Sequence, residues 1–392
     1  MLDEIAVIGR DAHTGGYRRY AWNDADMALR EWFVASAEAR GLDVHEDGNG
    51  NQFAWRGSAS SGGGENALLI GSHLDSVPDG GAYDGPLGVV SSFAALDRLV
   101  DFTSRRPIVI ANFADEEGAR FGIACAGSQL LTGVLDAGTA LARKDRDGIT
   151  MAEALTACGR DPRAVGPDPG FLAKIGTFVE LHVEQGKSLI RSGDAVGVAT
   201  AIWPHGRFRF DFCGQANHAG ATAMADRRDP MIAYAVTVLA AQRLATESGG
   251  RATFGKLLVE PGGTNAIPSR VTAWLDARAS AEPTLDKLVD DLVAAAKDAS
   301  DRTTVEFTTE SYSPAVDFDV PLRDELATLL NAPVLPTGAG HDAGVLAGLI
   351  PTAMLFVRNP TGISHSPEEF AEDADCRAGV DALVHVIRSL AS

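Results

Sequence analysis

Nine histidines are spread along the 392-residue chain, and three of them, His73, His182 and His365, stand beside acidic residues at the ends of strand-like runs or in glycine-rich loops. Imidazole nitrogen with carboxylate oxygen is the donor set of zinc and manganese sites. In GSHLDSVPDGGAYDG (71 to 85), the spacing His73-x-Asp75 places both side chains on one side of an extended segment. Asp75 is thereby expected to hold the ring of a metal-bound His73. Asp84 follows in a Gly-Gly-Ala-Tyr-Asp-Gly turn, where backbone freedom lets a carboxylate turn into a cleft. Taken alone, His-x-Asp is also what a solvated surface turn looks like.

ANFADEEGARFG places Glu116 and Glu117 directly after an apolar run. Adjacent like charges at a buried strand end want a cation or solvent between them. One could ligate a metal while its neighbour serves as general base, or both could be solvated at a helix N-terminus. FVELHVEQG alternates Val179, Leu181 and Val183 with Glu180, His182 and Glu184, so one face is apolar and the other sets an imidazole between two carboxylates. GISHSPEE carries His365 in a polar loop after a late strand. Any one of these motifs has a bland structural explanation. Together they bring three imidazoles and two carboxylates from four strand ends toward one cleft, with Asp84 able to bridge two ions.

The elements that must position these groups follow from hydrophobic period. ALLIGSHLD (67 to 75), RPIVIANFAD (106 to 115) and TFVELHVEQG (177 to 186) predict buried strands of an α/β domain with a mostly parallel sheet, where function gathers at the carboxyl ends. GRFRFDFCG (206 to 214) changes the pattern, because Phe208, Phe210 and Phe212 share one face of a half-buried strand. A helix from Asp229 to about Ala245, strands near 252 to 260 and 270 to 279, a helix near 284 to 299 and a strand near 303 to 311 complete a β-α-β-β-α-β order. That order is the split βαβ of a ferredoxin-like α+β unit. The expected organisation is a catalytic domain of residues 1–204 plus 316–392, with an inserted lid and dimerisation domain at 205–315. PTAMLFV (351 to 357) and a closing helix from Glu372 return to the first domain, and SASSGGGEN (58 to 66) reads as a surface loop.

With 34 basic and 53 acidic residues the chain carries a formal charge of -19, which repels phosphate backbones and anionic lipid. Neither nucleic acid nor membrane is an expected partner, and an anionic substrate needs locally placed cations. The N-terminus lacks the pattern of a secretory signal and no run is long and apolar enough to span a bilayer, so a cytoplasmic location is the expectation. Cys125, Cys158, Cys213 and Cys376 show no paired spacing and read as buried thiols.

At GSHLDSVPDGGAYDG, ADEEGARFG, ELHVEQG, NHAGATAMADRRD, TNAIPSRV, GAGHDAG and GISHSPEE, the chain resembles the N-carbamoyl-L-amino-acid hydrolase and allantoate amidohydrolase family. That family lies within the wider aminoacylase and carboxypeptidase superfamily of two-metal hydrolases. The strings run in family order from about residue 70 to the C-terminus. The resemblance implies that His73 and His182 hold one divalent ion, Glu117 and His365 a second, and Asp84 both. The ions would be zinc or manganese, with cobalt or nickel also accepted by such donors. It further implies Glu116 as general base, Asp75 behind His73, and His218 as polariser of the reacting carbonyl, reaching the other subunit's site in a homodimer. Asn265 and Arg278 are implied as holders of the substrate carboxylate, with Gln185 lining the pocket. The implied reaction cleaves the ureido C–N bond of allantoate or an N-carbamoyl-L-amino acid, releasing ammonia and carbon dioxide.

The residues support part of this independently. Arg278 lies opposite Val271, Ala273 and Leu275 on its strand, and guanidinium is shaped for bidentate carboxylate binding, although pairing with Asp276 on the same face would also explain it. The chain also departs from the family. Ala221 and Ala223 interrupt a string that relatives often write HAGTTPM, and AIWPHGRFRF brings His205 where relatives often carry a glutamine-containing segment. Two other readings stand beside hydrolysis of a ureido bond. An aminoacylase or dipeptidase would use the same metals on another amide, and a metal-storing or metal-sensing protein would need no Glu116.

Overall fold

A computed structural model of the protein describes residues 2–57 and 66–392, so the loop expected at 58 to 66 lies, apart from Asn66, outside the described residues. The chain divides into two compact units, Met1–Ala201 with Asp317–Ser392, and Ile202–Val316.

The first unit is built on a sheet in which seven strands run in the order Asp43–Glu46, Gln52–Arg56, Ile108–Phe113, Ala67–His73, Ile175–Val183, Thr352–Val357, Val196–Ile202. Its middle four strands, from Ile108–Phe113 to Thr352–Val357, are mutually parallel. The hairpin of Asp43–Glu46 and Gln52–Arg56 on one side and Val196–Ile202 on the other pair antiparallel. The expected mostly parallel sheet is therefore a parallel centre with antiparallel flanks. The hairpin is missing from the elements expected from the sequence because DVHE and QFAWR are too short to show a strand period. The parallel strands are buried on both faces, as crossover helices require. Glu180, His182 and Glu184, on the polar side of their strand, are buried too. Leu68, Ile70, Val179, Leu181 and Leu355 pack with Leu29 and Phe33 of helix Asp24–Glu38, Phe93 of Pro86–Asp97, and Val380 and Leu383 of Asp373–Leu390 in one apolar cluster.

The second unit has strands His205–Cys213, Arg251–Glu260, Arg270–Arg278 and Thr304–Ser313 and helices Pro230–Ser248 and Glu282–Asp298, in the β-α-β-β-α-β order. The antiparallel sheet runs Thr304–Ser313, His205–Cys213, Arg270–Arg278, Arg251–Glu260. Phe208, Phe210 and Phe212 meet Leu285, Leu288 and Leu292 of the second helix, so that one face of the sheet is the core. Asp229 caps the first helix through the Met231 amide, with Pro230 at its first turn. No described helix is long and apolar enough to cross a membrane.

Candidate metal centre

The expected ligands of the first unit all arise at the carboxyl ends of its four parallel strands. His73 is the last residue of Ala67–His73, His182 the penultimate residue of Ile175–Val183, Glu116 and Glu117 follow Phe113, and His365 lies in the loop after Val357. Asp84 sits just before helix Pro86–Asp97.

Two donor groups share Asp84. His73, Asp84 and His182 present ligand atoms within 4.8 Å of one another, and so do Asp84, Glu117 and His365. The carboxylate divides its oxygens between them. Oδ1 lies 3.1 Å from His182 Nε2 and 3.7 Å from His73 Nε2, whereas Oδ2 lies 3.5 Å from His365 Nε2. His365 Nε2 is also 3.5 Å from Glu117 Oε2. His73 Nε2 is buried with no hydrogen-bond partner. A buried, unpartnered ring nitrogen facing carboxylates, with nitrogen and oxygen donors in two overlapping sets, fits divalent ions.

The surroundings fix these groups. His182 Nδ1 lies 2.9 Å from the Val183 carbonyl, which can only accept, so Nε2 carries the lone pair toward Asp84. His73 Nδ1 meets the Asp75 carbonyl at 3.2 Å and the Asp75 carboxylate at 3.5 Å. The Asp75 carboxylate has a closer task that the sequence did not suggest. It accepts the amides of Glu116 at 3.1 Å and Glu117 at 3.0 Å, and so clamps the backbone of both glutamates. Gly85 adopts a left-handed φ of +82° and lies so close to His73 that a Cβ would come within 2.3 Å of the imidazole.

Electrostatics follow from burial. Burial opposes charge on His73, but Glu116, Asp75 and Glu117 around it win and hold its pKa well above the ordinary value. Asp84 goes the other way, because His182, His73 and His365 outweigh its burial and press it well below the usual range. Burial lifts Glu116 well above the carboxylate range and, with the Asp84 charge, lifts Glu117 to about 8.

Several neighbours were not singled out in the sequence. Glu369, last residue of GISHSPEE, accepts the Tyr83 and Asp84 amides at 2.8 and 2.9 Å and the Ser364 hydroxyl at 3.0 Å. Ser364 also meets Asp84 Oδ2 at 2.8 Å. His341 is buried against His182 with ring centroids 4.5 Å apart, and with Glu180 and His182 forms a third group able to hold an ion. Cys125 is less bland than expected, since its thiol donates to Glu116 Oε1 at 3.2 Å. Cys158 and Cys213 are only partly buried. Gln185, expected beside the substrate, donates to Asp84 Oδ2 at 2.8 Å.

The remaining expected residues lie in the second unit. A short ribbon pairs Ala266 with His218, and the Ala219 amide donates to the Asn265 carbonyl at 2.9 Å, so His218 and Asn265 are brought together. His218 Nδ1 accepts the Gly220 and Ala221 amides at 3.1 Å each, which leaves Nε2 as the protonated, outward nitrogen. Arg278 ends its strand and pairs with Asp276 at 2.8 and 3.0 Å, the same-face partner anticipated from the sequence.

Comparison with known proteins places the chain in a family. Residues 69–389 match the model of peptidase family M20/M25/M40. The chain is 35% identical to an N-carbamoyl-L-amino acid amidohydrolase of Geobacillus stearothermophilus, over 100% of this chain and 97% of that protein. It is 30% identical to an allantoate amidohydrolase of Bacillus subtilis, over 100% and 96%. A crystal structure of a hydantoinase/carbamoylase family amidase from Burkholderia vietnamiensis superposes with a TM-score of 0.86 at 33% identity, over 100% of this chain and 95% of that one. The chain is thus a member of peptidase family M20/M25/M40, grouped with the N-carbamoyl-L-amino acid and allantoate amidohydrolases.

Proposed function

We propose that the protein is a binuclear-metal amidohydrolase that cleaves the ureido C–N bond of allantoate or of an N-carbamoyl-L-amino acid. The observation that carries this reading is the division of Asp84 between two donor groups with Glu116 beside them. His73 and His182 would hold one ion, Glu117 and His365 the other, and Asp84 both. Bound divalent ions supply acidification of a water and polarisation of a carbonyl oxygen.

The protein's own groups do the rest. Glu116 Oε1 is engaged by the Cys125 thiol and Oε2 faces His73 Nε2 at 3.7 Å, so Oε2 is the oxygen that takes the proton of the attacking water. Burial raises the Glu116 pKa, which lets the acid keep that proton until the leaving nitrogen accepts it. Asp75 keeps the glutamate backbone in place. His218, with Nε2 protonated and turned outward, is suited to donate to the carbonyl oxygen as it gains charge. Arg278, its plane set by Asp276, and Asn265 would hold the substrate carboxylate. A carbamoyl substrate yields ammonia, carbon dioxide and the free amine.

The test is a panel of allantoate, N-carbamoyl, N-acetyl and dipeptide substrates on protein reconstituted with zinc or manganese, scored for ammonia and for free amine. Ammonia from the ureido compounds is expected. Turnover of acetyl or peptide substrates alone would replace this reading by an aminoacylase or dipeptidase, the alternative that the peptidase description of the family favours. The same proposal includes a homodimer. Ile232, Val236 and Leu239 of helix Pro230–Ser248 and Leu257 and Leu258 of the edge strand Arg251–Glu260 are exposed apolar side chains in one unit. Light scattering on the wild type and on Leu239→Glu checks it, a dimer that dissociates being the expected result.

A further inference from the structure

One end of the second unit's sheet carries a row of nitrogen side chains outside the donor groups of the metal centre. Arg278 is the cross-strand partner of His205 on one side and of Arg251 on the other. Directly opposed residues share a face, and here it is the face away from Phe208, Phe210 and Phe212. Two arginines so placed repel, and each leans on its own support. Arg251 donates to the Gly249 and Gly250 carbonyls at 3.1 and 2.9 Å and lies 5.4 Å from the Trp203 ring centroid, while Arg278 rests on Asp276. His205 flanks Arg278 on the other side.

The imidazole of His205 has a defined polarity. Its Nδ1 is 3.2 Å from the Trp203 carbonyl oxygen, which only accepts, so the ring proton sits on Nδ1 and Nε2 carries a lone pair. Burial, reinforced by the charge of Arg278, lowers the ring's pKa and keeps it neutral at pH 7. Beside a fixed guanidinium there is therefore a neutral acceptor. A carboxylate docked on Arg278 brings the substituents of its α-carbon alongside that acceptor, because directly opposed positions on neighbouring strands are only about 5 Å apart.

We propose that His205 is a specificity-determining residue that favours α-ureido acids bearing a second hydrogen-bond donor on the α-carbon, a further ureido, amino or hydroxyl group, over those with an aliphatic side chain. A donor there satisfies the Nε2 lone pair, whereas an aliphatic group covers the acceptor without pairing it. The proposal rests on the reading of Arg278 as carboxylate holder. It assigns to the departure at AIWPHG the choice between the two substrate classes left open above.

The experiment measures kcat/KM for allantoate and for N-carbamoyl-L-alanine on metal-loaded wild type, His205→Leu, His205→Gln and Arg278→Gln, with circular dichroism melting to confirm folding. In His205→Leu the allantoate to carbamoylalanine ratio should drop about 10- to 100-fold, the worth of one hydrogen bond to an acceptor that the bound substrate covers. His205→Gln, whose amide oxygen also accepts, should recover most of that ratio. A ratio unmoved in His205→Leu, or one not restored by His205→Gln, overturns the proposal. Arg278→Gln should depress both substrates. If it depresses neither, the Arg278 reading fails and takes this proposal with it, whereas loss of both with an unmoved His205→Leu ratio removes the role of His205 alone.

Discussion

The two units handle polar groups in opposite ways. In the first, His73, Asp84 and His182 are 1%, 6% and 0% exposed, and each touches another member of the cluster. In the second, His218 and Asn265 are exposed and Arg278 is half-buried, each held by local backbone or by a same-strand neighbour. Desolvated charges persist only when they compensate one another or bind ions, so the buried cluster can change little without collapsing. The exposed groups pay no such penalty and can be exchanged singly. On the proposed reading, reaction type belongs to the first unit and substrate choice to the second.

The largest effect expected from breaking this division comes from Glu116→Gln. Removing the proton acceptor while keeping shape and the Asp75 clamp should lower kcat by about 10²- to 10⁴-fold, with metal content unchanged by elemental analysis. A variant that keeps its activity would remove Glu116 from the role of general base. On the other side of the comparison, Arg278→Lys exchanges a planar fork for a point charge. It should lower kcat/KM by roughly 10- to 100-fold, mostly through KM and without loss of metal. An effect confined to metal content would contradict the separation of roles.

A smaller effect tests the frame around the ligands. Glu369→Gln replaces one of the two oxygens that hold the Tyr83–Asp84 amides and Ser364. Groups that orient a ligand typically contribute about ten- to a hundredfold in metal affinity. Competitive chelator titration should show a loss near the low end of that range, because the backbone contacts can survive on the remaining oxygen. A loss as large as that of Asp84→Ala would make Glu369 a ligand in its own right.

Much of the centre was legible because its chemistry sits in short motifs at strand ends. His73, Glu117, His182 and His365 follow or end runs whose apolar character marks them as buried strands. Glu369 was not legible, since an acid in a polar loop looks solvated until the fold carries it 285 residues back to the Asp84 amide. Nor was the Cys125 contact, because nothing local announces that a left-handed turn at φ 51° swings a thiol onto Glu116. The hairpin of Asp43–Glu46 and Gln52–Arg56 escaped for a different reason. Its strands of four and five residues are too short to show a hydrophobic period, although Phe53, Ala54 and Trp55 are buried.

The smallest effect is thermodynamic and distinguishes the cluster from an ordinary set of ion pairs. Glu117 and Glu369 titrate in the folded protein at about 8 and about 7, above an ordinary carboxyl near 4.5. Between about pH 4.5 and 8 the metal-free folded state therefore keeps protons that the unfolded chain has released, and stability must fall as pH rises through that window. His73 and His182 act in the same direction, because the stability from their raised pKa values is present at acid pH and fades as they deprotonate. Asp84 contributes oppositely, but only at more acid pH. Metal-free protein should melt lower at pH 8.5 than at pH 5, by on the order of 5 °C. Divalent ions take the place of those protons, so zinc or manganese should raise the melting temperature more at pH 8.5 than at pH 5 and release protons on binding. Calorimetry in buffers of different ionisation enthalpy measures that release. Binding without proton release would mean that the glutamates are already ionised, and the buried cluster would then owe its cohesion to ion pairing alone.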